Sequence, residues 1–247
     1  MRVLSGSLII KLLTLLLLIS LLIFGFKPFK DSVDAEITLI EEVEAYQSET
    51  RRLSDGSYLV AVRTSMPSVK AEMVRWWFAD FLNTTEHYNW WHPTDHVWMD
   101  WENKIPGKII GASHLVHEYI GGEISKLRIQ FVDPSEFFGH NPNDQNTFVI
   151  CAIVGLLDKE INIAKMCHVV TNNNNGSEMR SRFWLGHIST RKGEKNISSL
   201  TAFLGNMAIT RFFALDKEQA EDLKLHAEEE MRYLADLLVT IYNKQKN

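Results

Sequence analysis

The chain has 247 residues, of which 45% are hydrophobic and 23% charged, and this is the balance of a globular protein. Its net charge of −5 and the absence of a basic run argue against nucleic acid as a partner. Two cysteines are too few for a disulfide scaffold. Cys151 and Cys167 lie in strand-like segments, and we expect buried thiols rather than a disulfide.

Residues 1–30 differ from the rest of the chain because they contain a long apolar run. Leu12–Phe26 carries no charge, Lys11 precedes it, and no A-x-A cleavage signal follows. We predict a retained N-terminal hydrophobic helix that anchors the protein in a membrane through residues 8–26. Secretion after cleavage of a signal peptide is the alternative, and basic residues at both ends leave the orientation open. Residues 31–247 then form one domain.

The body begins with a predicted strand at 57–67 and a predicted helix at 68–82, capped by Ser68. The aromatic segment 85–102 contains a proline and cannot be one regular helix. Further predicted elements are strands at 108–119, 124–132, 147–157, 163–171 and 178–186, then helices at 199–213 and 216–242.

This order of elements predicts an α+β helix-grip fold, in which an antiparallel sheet surrounds a long C-terminal helix. Such a fold leaves a cavity between the sheet and the helix. Ligands favour concave, largely apolar cavities that contain a few polar groups. Polar residues on the core-facing side of the last helix are therefore candidate site residues.

His226 and Glu230 lie on the apolar stripe of the final helix, one turn apart. A buried carboxylate without a partner is costly, so Glu230 needs a cation or hydrogen-bond donors. A histidine and a glutamate at this spacing can bind a divalent metal from one side. The alternatives are a simple His–Glu hydrogen bond at the cavity edge, or a stripe that is less buried.

Two other segments contain residues of the same types. His92 and His96 lie in "WWHPTDH", and the strand "GASHLVHEYIGGE" holds His114 and Glu118 on one face and His117 on the other. Each lone histidine can also be structural. Together, two histidines and two carboxylates fit a catalytic metal centre, which keeps an open position for water or a ketone oxygen.

The sequence resembles the 2,4-diacetylphloroglucinol hydrolase family, zinc enzymes that cleave a carbon–carbon bond. The resemblance rests on "MVRWWFADF", "YNWWHPTDH", "VHEYIGGE", "SEMRSRFWLG" and "LHAEEEMRYLADLL", which span roughly residues 45–243. It implies a Bet v 1-like (START-like) helix-grip fold and one Zn²⁺ ion.

The resemblance also implies a set of zinc ligands. His96 is preferred over His92 because it follows Tyr88 by eight residues, as in the family. Glu123 competes with Glu118 for the strand position. The implied ligands are His96, Glu118, His226 and Glu230.

The resemblance implies that Tyr88 and His168 contact the phenolic oxygens of the substrate. It also implies that they are catalytic, because either residue could supply or relay a proton. His168 can also be a satisfied core histidine. Phe183 stands where the family has a tyrosine, so one contact with a substrate hydroxyl is lost.

The leading hypothesis is therefore a zinc-dependent hydrolase that cleaves a carbon–carbon bond next to a ketone in an acylated phenol. Trp90, Trp91 and Trp98 could stack on this small aromatic or ketonic substrate, or belong to the core. The alternative is a non-catalytic, membrane-tethered carrier of a hydrophobic ligand. A zinc-stabilised structural domain is a third possibility, and the oligomeric state stays open.

Overall fold

A computed structural model of the chain describes residues 6–25 and 47–246. The helices are α1 (Gly6–Gly25), α2 (Ala71–Trp76, continued by a π-helical segment, Trp77–Phe81), α3 (Thr85–Trp91), α4 (Ser135–Phe138), α5 (Leu200–Gly205), α6 (Ala208–Ala214) and α7 (Lys217–Lys246). The strands are β1 (Glu49–Arg52), β2 (Tyr58–Pro67), β3 (His96–Glu102), β4 (Ser113–Ile120), β5 (Glu123–Val132), β6 (Thr147–Leu156), β7 (Ile161–Asn173), β8 (Gly176–Lys192) and β9 (Lys195–Ile197).

The strands of the described residues form one antiparallel sheet in the order β1-β2-β8-β7-β6-β5-β4-β3, with β9 paired to β8. The long helix α7 packs on one face of this sheet through Ala227, Met231, Leu234 and Leu238, all fully buried. Their spacing of three or four residues places them on one side of the helix. The predicted α+β helix-grip arrangement is confirmed.

The central strands are buried on both faces, which explains their nearly continuous apolar sequence. On β6, Ile150 and Ala152 face α7, whereas Cys151 and Ile153 face a second core that is covered by α4. Cys151 lies directly opposite Cys167 of β7, and the two form a disulfide. The expectation of two thiols is wrong because the hairpin register places both cysteines on the same face as direct neighbours.

The first body helix begins later than predicted. Ser68 does not cap it, because its φ of 65° lies in the left-handed region and its N–H donates to the Asn175 carbonyl at 2.7 Å. Asn172 accepts from the Ala71 N–H at 2.8 Å instead, so a neighbouring hairpin supplies the cap. A long-range cap of this kind leaves no local sequence signal.

The predicted membrane anchor at residues 8–26 is wrong, and with it the predicted membrane-anchored location. Helix α1 exists, but within 6–25 and 47–246 no helix combines the length and apolar character that a membrane crossing requires. Lys11 interrupts the apolar sequence of α1, and the uncharged part after it is shorter than the roughly 20 residues that span a bilayer core. Residues 1–5 and 26–30 of the predicted segment lie outside the described residues.

A buried ion pair fixes the chain that leads into α7. Arg211 of α6 contacts Asp55 in the β1–β2 turn at 2.9 Å, and both side chains are 1% exposed. Arg211 also donates to the Gly186 carbonyl at 2.8 Å. Gly56 permits this approach because a Cβ there would lie 2.7 Å from the Ala208 carbonyl oxygen. The pair thereby holds the residues that precede α7 against the sheet.

We expect Arg211→Met to lower the free energy of unfolding by about 3–5 kcal/mol, because Asp55 would remain as a buried charge without its partner. Arg51→Met is the matched control, since Arg51 and Glu49 form an exposed pair at 3.5 Å. Urea unfolding followed by far-UV circular dichroism measures both. Equal midpoints for the two variants would contradict the role of the buried pair.

Candidate functional site

A cavity of about 710 Å³ lies between the sheet and α7. Much of its wall is apolar, with the aromatic rings of Phe78, Trp91, Phe131 and Phe183 among its lining. Its buried polar lining comprises Tyr88, His114, Glu118, His168, His226 and Glu230. A large apolar cavity with few polar groups is the usual form of a small-molecule site.

Helix α7 presents His226 and Glu230 to this cavity. The two residues are one turn apart and only 4% and 9% exposed, with His226 Nε2 and Glu230 Oε2 4.0 Å from each other. Trp91 of α3 donates from Nε1 to the Glu230 carbonyl at 2.9 Å and docks α3 against α7. The predicted burial of this pair is therefore present in the structure.

His96 reaches the same point because of the turn between α3 and β3. Pro93 disfavours a helical conformation at His92, which has φ −140° and ψ 94°, so α3 ends at Trp91 and the chain folds back. The ring of His96 then stacks on Tyr88 with centroids 3.7 Å apart. Its Nε2 lies 3.4 Å from Glu230 Oε2.

Glu118 approaches from the neighbouring strand β4, where it pairs with His96. Its Oε2 lies 4.0 Å from His96 Nε2 and accepts a hydrogen bond from the Tyr88 hydroxyl. As predicted for this strand, His114 and Glu118 are buried on the cavity side. Glu123, the competing glutamate, lies on β5 after a two-glycine turn and is exposed at the cavity rim.

The hydrogen bonds of the ring nitrogens show which histidines can bind a metal. His96 Nδ1 lies 2.9 Å from the Tyr88 carbonyl and His226 Nδ1 lies 3.1 Å from Asp95 Oδ2. Both neighbours are acceptors, so in each neutral ring the proton lies on Nδ1 and Nε2 keeps a free lone pair. Both Nε2 atoms are buried and have no hydrogen-bond partner among the described residues. This is the arrangement of metal-binding histidines, whose second nitrogen donates to a carbonyl or carboxylate.

His92 has the opposite arrangement. Its Nδ1 accepts from the Asp95 N–H at 3.2 Å, so the proton belongs on Nε2. That Nε2 points towards Asp95 and Glu229 carboxylate oxygens, each 3.6 Å away. Asp95 hydrogen-bonds to Nδ1 of both His92 and His226, and the atoms of this group are also close enough to surround an ion.

Within the described part of the chain, His96, His226 and Glu230 form a buried cluster that could hold a metal ion. Burial raises the pKa of Glu230 to about 7 and lowers the pKa of His96 to about 4. Burial, reinforced by the charge of Glu118, also raises the pKa of Tyr88. The pocket thus disfavours uncompensated charge, and a divalent cation would offset the cost of its carboxylates.

The other predicted site residues also line the cavity. His168 on β7 is 2% exposed, and its Nδ1 lies 2.7 Å from Ser181 Oγ. Burial lowers its pKa to about 4, so the ring is neutral at pH 7. Phe183 lies beside it, with ring centroids 5.8 Å apart.

Of the three tryptophans considered for stacking, Trp91 lines the cavity. Trp90 is 43% exposed, and Trp98 packs on His117, which points away from the cavity face. Sequence reasoning missed Asp95 as the residue that orients His226. The only local signal was its place beside His96 in "HPTDH", because its partner is 131 residues away.

Solved structures with a similar overall arrangement share little sequence with this chain. Ara h 8.0201 aligns with a TM-score of 0.42 and 11% identity, over 74% of this chain and 99% of its own. A protein from Chromobacterium violaceum aligns with a TM-score of 0.41 and 12% identity, over 73% of this chain and 96% of its own.

Proteins found by sequence comparison share more of their sequence with this chain than these solved structures do. The phloretin hydrolase of Eubacterium ramulus is 26% identical over 204 residues, which cover 78% of this chain and 70% of that protein. The 2,4-diacetylphloroglucinol hydrolase of Pseudomonas protegens is 24% identical over 140 residues, which cover 51% of this chain and 46% of that protein. The sequence profile of the DAPG hydrolase PhiG domain matches residues 34–243, and because this match covers most of the chain, the protein belongs to the DAPG hydrolase family.

Proposed function

We propose that the protein is a zinc-dependent hydrolase that cleaves the carbon–carbon bond between an aromatic ring and an acyl carbonyl in an acylated phenol. The observation that carries the proposal is the pair of buried imidazoles, His96 and His226, whose unpartnered Nε2 atoms face two carboxylates at the wall of a large apolar cavity. Membership in the DAPG hydrolase family supports the same reaction, since the relatives are named as hydrolases of phloretin and of 2,4-diacetylphloroglucinol.

The proposed zinc ligands are His96, Glu118, His226 and Glu230. Two imidazole nitrogens and two carboxylates suit zinc, which accepts nitrogen and oxygen donors with an open position in catalytic sites. When bound, zinc supplies Lewis acidity, which polarises a ketone oxygen and lowers the pKa of water. Asp95 and the Tyr88 carbonyl hold the two rings in the orientation that such binding requires.

The apolar cavity would accept the aromatic ring and exclude bulk water from it. Tyr88 and His168 lie among its few polar groups and are the proposed contacts to phenolic oxygens. Phe183 lies beside His168 and offers only its ring. We propose that the acyl group of a bound substrate lies towards Glu118 and Glu230, which also line the cavity.

The reaction consumes one water molecule. Its oxygen forms a bond to the acyl carbon, the bond from that carbon to the ring breaks, and the ring carbon takes up a proton. The products are a carboxylic acid and the deacylated phenol. Tyr88 keeps its proton because burial and Glu118 raise its pKa, and that proton is shared with Glu118 Oε2. His168 is neutral and can relay a proton between its two nitrogens.

We expect the purified chain to bind about one equivalent of zinc, as a single catalytic site requires. His226→Ala should lower the bound zinc to a small fraction, and Asp95→Asn should weaken zinc binding by about 10–100-fold because Asp95 orients His226. His117→Ala is the control, because His117 lies on β4 facing away from the cavity. Elemental analysis after dialysis measures the metal, and full zinc retention by His226→Ala would contradict the ligand set.

We expect Tyr88→Phe to lower kcat for 2,4-diacetylphloroglucinol or phloretin on the order of 100-fold, because it removes a positioned proton at Glu118. Tyr119→Phe is the matched control, since Tyr119 lies on β4 and is 41% exposed. Chromatography of the acid that is released measures the rates. A Tyr88→Phe enzyme that is as fast as Tyr119→Phe would remove Tyr88 from the proposed mechanism.

Phe183→Tyr should restore a hydroxyl beside His168 and lower KM for a phenolic substrate by up to about tenfold, the value of one hydrogen bond. Steady-state kinetics with 2,4-diacetylphloroglucinol measure KM. An unchanged KM would contradict the proposed position of the substrate beside His168. Phe138→Tyr, in the second core, controls for a general effect of the added hydroxyl.

A non-catalytic carrier is the second candidate, because the cavity has room for a hydrophobic ligand of considerable size. The two functions differ in their products. A carrier would return phloretin or 2,4-diacetylphloroglucinol unchanged after long incubation with zinc, whereas the proposed hydrolase would release an acid from at least one of them.

A further inference from the structure

His114 is a buried cavity residue that the proposed zinc site does not use. It lies on β4, lines the cavity and is 2% exposed. Its Nε2 is buried and has no hydrogen-bond partner among the described residues. A buried polar atom without a partner is costly, so an unpartnered nitrogen on a side chain that lines a ligand cavity indicates a polar group on the ligand.

The ring of His114 is held in place and has little freedom to find another partner. It stacks on Trp101 with centroids 4.6 Å apart and planes at 21°. Trp101 is itself fixed, because its Nε1 donates to the Leu82 carbonyl at 2.8 Å and Lys104 Nζ lies 3.8 Å from its ring centroid. His114 also makes a T-shaped contact with Tyr88, with centroids 5.2 Å apart.

His114 is distinct from the proposed metal ligands. The ring of Tyr88 stacks on His96 and also contacts His114, so it lies next to both histidines. Neither group of described residues that is close enough to surround one ion includes His114, whereas the proposed ligand Glu118 lies 4.0 Å from His96 Nε2. A ligand atom, rather than the metal, is therefore the partner to consider for its Nε2.

We infer that His114 Nε2 hydrogen-bonds a phenolic hydroxyl of the bound substrate. The surrounding wall is aromatic: Phe78 meets Trp91 and Phe131 in edge-to-face contacts, at 5.4 and 6.1 Å between centroids. Such a wall suits a planar ring. A hydroxyl both donates and accepts, so it satisfies Nε2 in either tautomer, whereas a ketone oxygen satisfies only a protonated Nε2.

This inference rests on the proposed function, and it adds His114 as a residue that selects hydroxylated rings. It also makes the phenolic hydroxyl, and not only the acyl group, a determinant of binding. Phloroglucinol, the ring without its acyl groups, is a suitable probe because its binding requires no turnover.

The first test measures phloroglucinol binding to the full zinc-loaded chain by calorimetry. His114→Phe keeps an aromatic ring against Trp101 but removes both nitrogens, and we expect it to bind phloroglucinol about tenfold more weakly, as the loss of one hydrogen bond predicts. His117→Phe, the same substitution on the other face of β4, should bind like the wild type. Equal affinity of a folded His114→Phe variant and the wild type would overturn the inference.

The second test uses the wild-type protein and does not depend on the folding of a variant. In protein labelled with ¹⁵N-histidine, the Nε2 resonance of His114, assigned through ring contacts with Trp101, should shift when phloroglucinol saturates the cavity, while that of His117 should not. An unmoved His114 signal in an enzyme that cleaves 2,4-diacetylphloroglucinol would overturn the inference and leave the proposed function intact. A shifted signal in a protein that cleaves no acylated phenol would support the contact and reject the proposed function.

Discussion

The structure depends on how two carboxylates and two imidazoles share one small buried volume. Glu118 and Glu230 both approach His96, at 4.0 and 3.4 Å from its Nε2, and the burial of both acids is nearly complete. Like charges this close in a low-dielectric interior repel strongly. A divalent cation among them would neutralise both acids and use the free lone pairs of the histidines. The proposed donors for such an ion come from three separate elements: β3, β4 and α7.

Tyr88 connects these elements through its carbonyl, its ring and its hydroxyl. Its carbonyl fixes the tautomer of His96, its ring supports the ring of His96, and its hydroxyl donates to Glu118. The same ring contacts His114, so one residue of α3 touches both His96 of the histidine–glutamate cluster and the aromatic wall of the cavity. The spacing between Tyr88 and His96 is therefore a geometric requirement, because the turn at Pro93 must return the chain over the helix it has just left.

Sequence patterns were sufficient for the features that depend on local periodicity. The stripe of α7 placed His226 beside Glu230, and the alternation of β4 placed Glu118 beside His114. Features that depend on distant partners were not predictable in this way. Asn172 caps a helix a hundred residues earlier, the register of β6 and β7 joins the two cysteines, and Asp95 orients a histidine on another element. The apolar run before residue 26 had the composition of a membrane segment but not the length.

The clustered side chains come from separate parts of the chain, and this separation has a consequence for biosynthesis. His96 and Glu118 emerge from the ribosome before His226 and Glu230, which lie on α7. A nascent chain that ends before α7 therefore holds only half of the cluster, and its sheet lacks the helix that packs against its apolar face. A chain that stops before α7 would lack both the His226–Glu230 pair and a large part of the core, so we expect it to be treated as an unfolded protein and degraded.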